Sequence, residues 1–255
     1  MPSRPPPSSA DAPDAPTVLA WPDFARYFYG AHRQGEHVAI VGPTGSGKSV
    51  LGLSLCQILA QRKTRDGRPA SVVILANKPR DRTLAALDWP RIRTVKDWPP
   101  GYGQEACIVW PKYGDPETAT TRQAAFYRPL LRRIFAEGGQ TVYIDEVADF
   151  EEPKPDGMGL RALTGKYWKA GRALDLTMIA GTQRPRSVSR AMWSEPTFVC
   201  IFRLDDVDDA RRVGEIGGDR RHVAGLVDKL GGHEFLVIHR PRGGTRALYV
   251  SRVGG

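Results

Sequence analysis

Residues 37–51 read HVAIVGPTGSGKSVL, an apolar run (His37 to Val41), then the octet Gly42-Pro43-Thr44-Gly45-Ser46-Gly47-Lys48-Ser49, then the start of a second apolar stretch. That second stretch, Val50 to Gln61, has helical length and only Gly52 as a breaker, so the unit reads strand, loop, helix. The octet satisfies G-x-x-x-x-G-K-[ST] at the junction where that spacing has a mechanical meaning. Glycines let successive backbone N–H groups turn toward phosphates, and the helix N-terminus adds positive potential. Lys48 is expected to reach the β- and γ-phosphates and Ser49 to ligate a metal, which makes ATP and Mg²⁺ the expected cofactors.

Short apolar runs alternate with helical stretches on either side of this unit. Leu19 to Tyr29 predicts a helix leading, through a turn over Gly30 to Gly35, into the strand before the loop. Ser71 to Leu75 and Cys107 to Trp110 read as buried parallel strands, while the Trp- and Pro-rich stretch Asp88 to Gly103 carries no assignable pattern. Phe126, Leu130, Leu131, Ile134 and Phe135 share a helix face that Pro129 can kink and that Gly138-Gly139 ends. The alternation continues with a strand at Thr141 to Ile144, a helix around Leu160 to Leu174 and a strand at Leu176 to Gly181. A helix near Ser187 to Trp193 and a strand at Phe198 to Leu204 follow, and Glu234 to His239 with Arg246 to Ser251 predict a C-terminal β-hairpin. The fold class is α/β: a mostly parallel sheet with helices on both faces.

A magnesium nucleotide needs a second acidic contact at the end of a neighbouring strand, and Thr141-Val142-Tyr143-Ile144-Asp145 supplies one. Asp145 is expected to hold the Mg²⁺ through water, with Ser49 as its other protein contact. Glu146, the next residue, is the expected general base for an attacking water. Leu176 to Gly181 ends in Thr182-Gln183-Arg184-Pro185, which places Gln183 near the γ-phosphate as a sensor. A guanine-reading N-K-x-D is missing from its usual place; Asn77-Lys78-Pro79-Arg80 matches only its start.

With the Thr-Gln-Arg-Pro ending behind Gly171-Arg172-Ala173, the chain resembles the FtsK/HerA superfamily of DNA-pumping ATPases over roughly residues 35 to 240. The resemblance implies a RecA-like core, a glutamine that links nucleotide state to DNA-contacting loops, and a homo-oligomeric ring, usually a hexamer. It is similar to the compact one-domain members and departs from many others at Ala76-Asn77-Lys78, where they carry Asp-Pro-Lys. In such a ring a neighbour's arginine neutralises charge at the γ-phosphate; Arg172 is the candidate, with Arg161 and Arg203 as rivals.

The net charge of +9 suits a polyanionic partner, here double-stranded DNA. Three basic regions are candidate contacts. They are Arg184, Arg186 and Arg190; Lys166, Tyr167, Trp168 and Lys169, after the loop Glu151 to Gly159; and Arg240, Arg242 and Arg246. For Tyr167 and Trp168 the alternative is core packing. Asp205, Asp206, Asp208 and Asp209 read as caps for a helix near Val207, and the five histidines need no special role. Cys56, Cys107 and Cys200 lie in apolar runs and read as buried thiols.

The first 17 residues hold six prolines and predict a disordered tail before a single domain over 18–255. Without a signal-like start or a run of about 18 apolar residues, the expectation is a cytoplasmic protein with no stable membrane insertion. Two other readings stay open: a Zot-like ATPase for protein export or virion assembly, and a nucleotide-dependent regulatory switch.

Overall fold

The computed structural model describes residues 15–63, 69–98, 106–214 and 220–253. In chain order the elements begin with β1 (Thr17–Val18), α1 (Trp21–Ala31), β2 (Val38–Val41), α2 (Lys48–Ala60), β3 (Val72–Leu75), α3 (Arg82–Ala85) and β4 (Arg91–Ile92). They continue with β5 (Ala106–Val109), α4 (Pro116–Glu137), β6 (Thr141–Ile144), α5 (Val147–Glu151), α6 (Arg161–Ala170), β7 (Thr177–Thr182) and α7 (Ala191–Ser194). Last come β8 (Phe198–Phe202), α8 (Val207–Gly214), α9 (Arg220–Val227), β9 (Glu234–His239) and β10 (Ala247–Arg252).

The ten strands form one sheet in the order β1-β10-β9-β8-β2-β7-β6-β3-β5-β4. Its pairings are parallel except those of β9, which runs against both β8 and β10. Because every central strand is apolar on both sides, successive residues feed two cores. Ala39 and Val41 face Tyr127, Leu130 and Trp168 on one side; Val38 and Ile40 face Phe24, Phe28, Leu51 and Leu55 on the other. Each fully buried side chain of this size contributes about 1.5–3 kcal/mol, so the two layers, more than any helix propensity, hold the strands in register. The expected α/β class, parallel sheet and C-terminal hairpin are all present.

Two glycines set the geometry around the loop. Gly47 has φ +108°, a conformation open to glycine, and the space its side chain would need is filled by Val253, Phe202 and His233. Gly52 lies against the Tyr143 ring, whose atoms stand 2.4–2.5 Å from where a Cβ would be, so α2 can seat on β6 only without a side chain there.

Several elements differ from their expected outlines. α4 starts ten residues before its apolar face, because Asp115 caps it (its carboxylate accepts from Glu117 N at 3.3 Å) and Pro116 opens the first turn; the helix runs on through Pro129. The helix expected from Ser187 is confined to α7. Ser189 is held by Glu151, through its backbone N–H and a hydroxyl contact of 3.1 Å, instead of joining a helical ladder. The unassigned stretch contains β4 at the sheet edge and a 3-10 turn at Val95–Asp97; residues 99–103 lie outside the described residues. Residues 1–14 of the expected tail also lie outside them, but Thr17, inside the stretch read as tail, pairs in parallel with Tyr249. The aspartate cap is found at Asp206, whose Oδ1 accepts from Asp208 N and Asp209 N, both at 2.9 Å. All three cysteines are buried thiols. No helix among the described residues is long and apolar enough to cross a membrane.

Candidate active site

The carboxyl ends of β2, β7, β6 and β3 lie side by side, and each delivers polar residues just past its last apolar one. From β2 comes the glycine loop, tied to β7 by Gly42 N to Thr182 O (3.3 Å). From β6 come Asp145 and Glu146, from β7 Thr182 and Gln183, and from β3 Asn77 and Lys78. The sequence-predicted residues Lys48, Ser49, Asp145, Glu146 and Gln183 are therefore brought together.

Asp145 is a carboxylate with three donors. Its Oδ1 accepts from Ser49 Oγ at 2.6 Å and Tyr143 Oη at 2.8 Å, and its Oδ2 pairs with Lys78 Nζ at 2.7 Å. Burial pushes its pKa up, but the Lys78 ammonium and the Ser49 and Tyr143 hydroxyls outweigh that, holding the carboxyl below its ordinary range. Lys78 is shifted up in turn, because the Asp145 carboxylate outweighs its own desolvation. Lys78 is not a stray surface chain: its carbonyl accepts from Trp110 Nε1 at 2.9 Å, and the neighbouring Asn77 is bound by Gln123 and Asp149.

Glu146 points the other way. Its Oε1 accepts from Thr182 Oγ1 at 2.7 Å and its Oε2 from the Gln183 amide at 2.9 Å. Burial raises its pKa against the pull of those two donors, so the carboxylate is more basic than an exposed glutamate. Thr44 Oγ1 donates to Gln183 Oε1 at 2.5 Å, which joins the glycine loop to the sensor directly. Lys48 is buried and donates from Nζ to Pro43 O at 2.8 Å; desolvation lowers its pKa although Glu146 and Asp145 oppose the shift.

The donor set fits a magnesium nucleotide. Ser46 Oγ is buried without a hydrogen-bond partner, and the first amides of α2 have no intrahelical acceptor, so the loop presents unused donors to an anion. Beside them the Ser49 and Asp145 oxygens, 2.6 Å apart, offer the hard oxygen ligands that Mg²⁺ prefers. The cleft continues on both sides of Gly45, lined by Arg203 and Asp205 on one side and by Val50 and Val253 on the other, with His233 bordering both.

Tyr167 and Trp168 are each 1% exposed: the Tyr167 hydroxyl donates to Leu131 O and Trp168 packs edge-on against His37, so of the two readings open for them core packing holds. Three expectations need correction. Arg184 is paired with Asp149 and Glu152 and Arg240 donates to Trp193 O and Pro196 O, so both are committed within the chain, while Arg186 makes an exposed surface pair with Asp208 at 2.5 Å. Glu151, read as the start of a loop, is buried at the end of α5 and binds Thr164, Ser189 and Arg161. His233 does have a place at the site, its Nδ1 lying 3.1 Å from Ser46 O. Arg172 is not gathered with the loop: it lies at the amino end of β7, against Gly35 and 3.5 Å from Glu36. Of its rivals, Arg161 is 3.7 Å from Glu151 and Arg203 is 3.8 Å from Asp205.

No family model matches the chain, and none of the curated proteins does. Solved structures do. The DNA-packaging ATPase B204 from Sulfolobus Turreted Icosahedral Virus is 15% identical with a TM-score of 0.58, over 86% of this chain and 98% of that one. The genome packaging NTPase B204 of Sulfolobus turreted icosahedral virus 2, in complex with ATP-gammaS, is 16% identical with a TM-score of 0.58, over 84% and 96%. The cytoplasmic domain of the Type VII secretion ATPase EccC of Thermomonospora curvata is 14% identical with a TM-score of 0.50, over 88% of this chain and 26% of that one. The chain therefore has the α/β RecA-like fold of P-loop ATPases.

Proposed function

We propose that this protein is an ATP-hydrolysing motor that translocates or packages double-stranded DNA, working in the cytoplasm as a homo-oligomeric ring, in the usual case a hexamer. The observation that carries it is the continuous hydrogen-bonded path from the glycine loop to the sensor and the base: Thr44 to Gln183, and Gln183 and Thr182 to Glu146. A pure binding protein has no need to align a buried, basic carboxylate against its sensor strand.

In this reading the amides of residues 45–49 and the Lys48 ammonium bind the phosphates, and Ser49 and Asp145 hold Mg²⁺. Bound magnesium nucleotide supplies an electrophilic phosphorus and a leaving group. Lys78 must give up Asp145 Oδ2 for the metal to be held there. Glu146 takes the proton of the attacking water, and the freed Gln183 and Thr182 pass the change to the segment that follows β7. Arg172 is proposed to act in the neighbouring subunit, which suits its distance from its own loop. Arg172→Ala should then abolish turnover, by about 10³-fold or more, while sparing nucleotide binding. Mixed with wild type it should poison the assembly more than in proportion; strictly proportional activity of the mixture would exclude the trans role.

DNA as the partner is supported by the net charge of +9 and by the shared fold with a viral DNA-packaging ATPase. The likeness to a secretion ATPase supports a second reading, an ATPase that drives protein export or assembly. Steady-state turnover with and without long duplex DNA, at two salt concentrations and with Glu146→Gln as the blank, separates the two. Stimulation that fades with salt is expected of a motor gripping phosphates; turnover indifferent to DNA would favour the protein partner.

A further inference from the structure

The sequence offers three basic regions, and the fold sorts their cations into committed and uncommitted ones. Arg184, Arg186 and Arg240 have internal partners. Lys166, Lys169, Arg190, Arg242 and Arg246 are exposed, and among the described residues none of the five has an ion pair or hydrogen bond through its side chain. Of these, Lys166, Lys169 and Arg190, together with Arg161, line a single open groove of about 480 Å³ between α6 and the segment leading into α7.

From this placement we infer that the α6–α7 groove is the grip on DNA, a seat for the phosphate backbone of a duplex; the inference rests on the DNA reading proposed above. No carboxylate lines the groove, and its floor is built of small residues such as Ala162, Gly165 and Ala191. Lys166 and Lys169, three apart on α6, stand about 5–6 Å from each other, and Arg161, Gly165 and Lys169 recur at every fourth position, which puts Arg161 about 12 Å along the helix from Lys169. At Gly165 a side chain would meet nothing within 4 Å, so the groove is open at its centre.

Duplex is favoured over single strands by what the groove lacks. Single-strand binders stack bases on aromatic rings, but Tyr167 and Trp168 of the same helix are turned into the core. What remains is charge on a smooth floor, which meets phosphates without reading bases.

The groove is also wired to the nucleotide site. Buried Glu151, at the end of the short helix that starts directly after Glu146, accepts from Thr164 Oγ1 at 2.9 Å and from the Ser189 hydroxyl and amide, and it pairs with Arg161. It thus holds both walls. A shift of α5 when Glu146 changes partners would move Arg190 relative to Arg161, Lys166 and Lys169 on α6.

The test is equilibrium binding of the full chain to a fluorescent duplex of about 40 base pairs across a salt series, a length that exceeds one protein footprint. Lys166→Glu/Lys169→Glu/Arg190→Glu should weaken binding by more than about 10-fold and lower the salt slope by about 3, one unit per lost phosphate contact. Gly165→Trp fills the groove without altering charge and should weaken binding comparably, while Arg242→Glu/Arg246→Glu, an equally basic tip with no groove, should bind nearly as wild type. Basal ATP turnover should survive in all three, which also reports that they fold. Groove variants that bind duplex with wild-type affinity and slope would overturn the groove alone. A wild-type protein that hydrolyses ATP, ignores duplex and instead binds anionic vesicles or an acidic protein would overturn the groove and the DNA reading together.

Discussion

The two ends of the parallel sheet carry buried polar clusters of opposite character. At the amino end, His32, Glu36, His37 and Thr177 are tied mainly through the backbone: His32 Nε2 is 3.0 Å from Glu36 O, Gly35 N donates to Thr177 Oγ1 at 2.9 Å, and Met178 N donates to His37 Nδ1 at 3.1 Å, with only His37 Nε2 left without a partner among the described residues. At the carboxyl end the partners are provisional. The ammonium of Lys48 rests on a carbonyl, that of Lys78 on the expected metal ligand, and Ser46 Oγ on nothing. The same strands pin both clusters, so the difference lies in the chemistry: backbone amides and carbonyls hold the histidines and Thr177 at one end, while charged groups with spare capacity wait at the other.

That contrast can be broken, with the largest effect first. Glu146→Gln removes the base but keeps the shape, and turnover should fall by about 10²- to 10⁴-fold with ATP still bound, whereas Lys48→Ala should lose the nucleotide itself. Single-turnover rates and a fluorescent-nucleotide titration separate the two, and full turnover by Glu146→Gln would remove Glu146 from the mechanism.

The amino end should answer to pH. Burial lowers the His32 pKa from 6.5 to about 3 and that of His37 from 6.5 to about 4, with Arg62 and Arg172 adding repulsion. Folded values below the unfolded one mean stability that is complete above about pH 6.5 and lost as pH falls toward 4 and then 3. The loss should reach about 2 kcal/mol per histidine by pH 5. Denaturant melts of wild type and His37→Gln should show the acid slope roughly halved in the variant; equal slopes would mean His37 is not held neutral. Smaller again is the effect of Lys78→Ala, which frees Asp145 Oδ2. The Mg²⁺ concentration that half-saturates nucleotide binding should drop by about 10-fold, about 1.4 kcal/mol, and an unchanged midpoint would show that Lys78 does not compete for that carboxylate.

Legibility in the sequence followed the same division. The loop, Asp145, Glu146 and Gln183 could be read because their spacing from a strand end is local and their chemistry demands those residue types. Lys78, Tyr143 and Thr182 could not, because only the register of β3, β6 and β7 sets them beside those residues, and His233 arrives from nearly 200 positions away. The start of α4 was hidden because its first turns carry threonine, alanine and glutamine in place of an apolar face. Tyr167 and Trp168 could be contact surface or core because four adjacent residues of a helix point in different directions, and the sequence does not say which face the core takes. The arginines after the sensor looked free for the same reason: Asp149 and Glu152 are far along the chain and near only in the fold.

The close packing of Gly47 against Val253 and His233 has a consequence for synthesis. The glycine loop is translated early, yet a side of its pocket consists of residues made 186 to 206 positions after Gly47. At about 5–20 residues per second, roughly 10 to 40 s pass between the ribosome's completing the loop and its adding Val253. During that interval the nascent chain carries the phosphate-binding motif without Val253 packed against Gly47, so that side of the cleft is completed long after the loop itself.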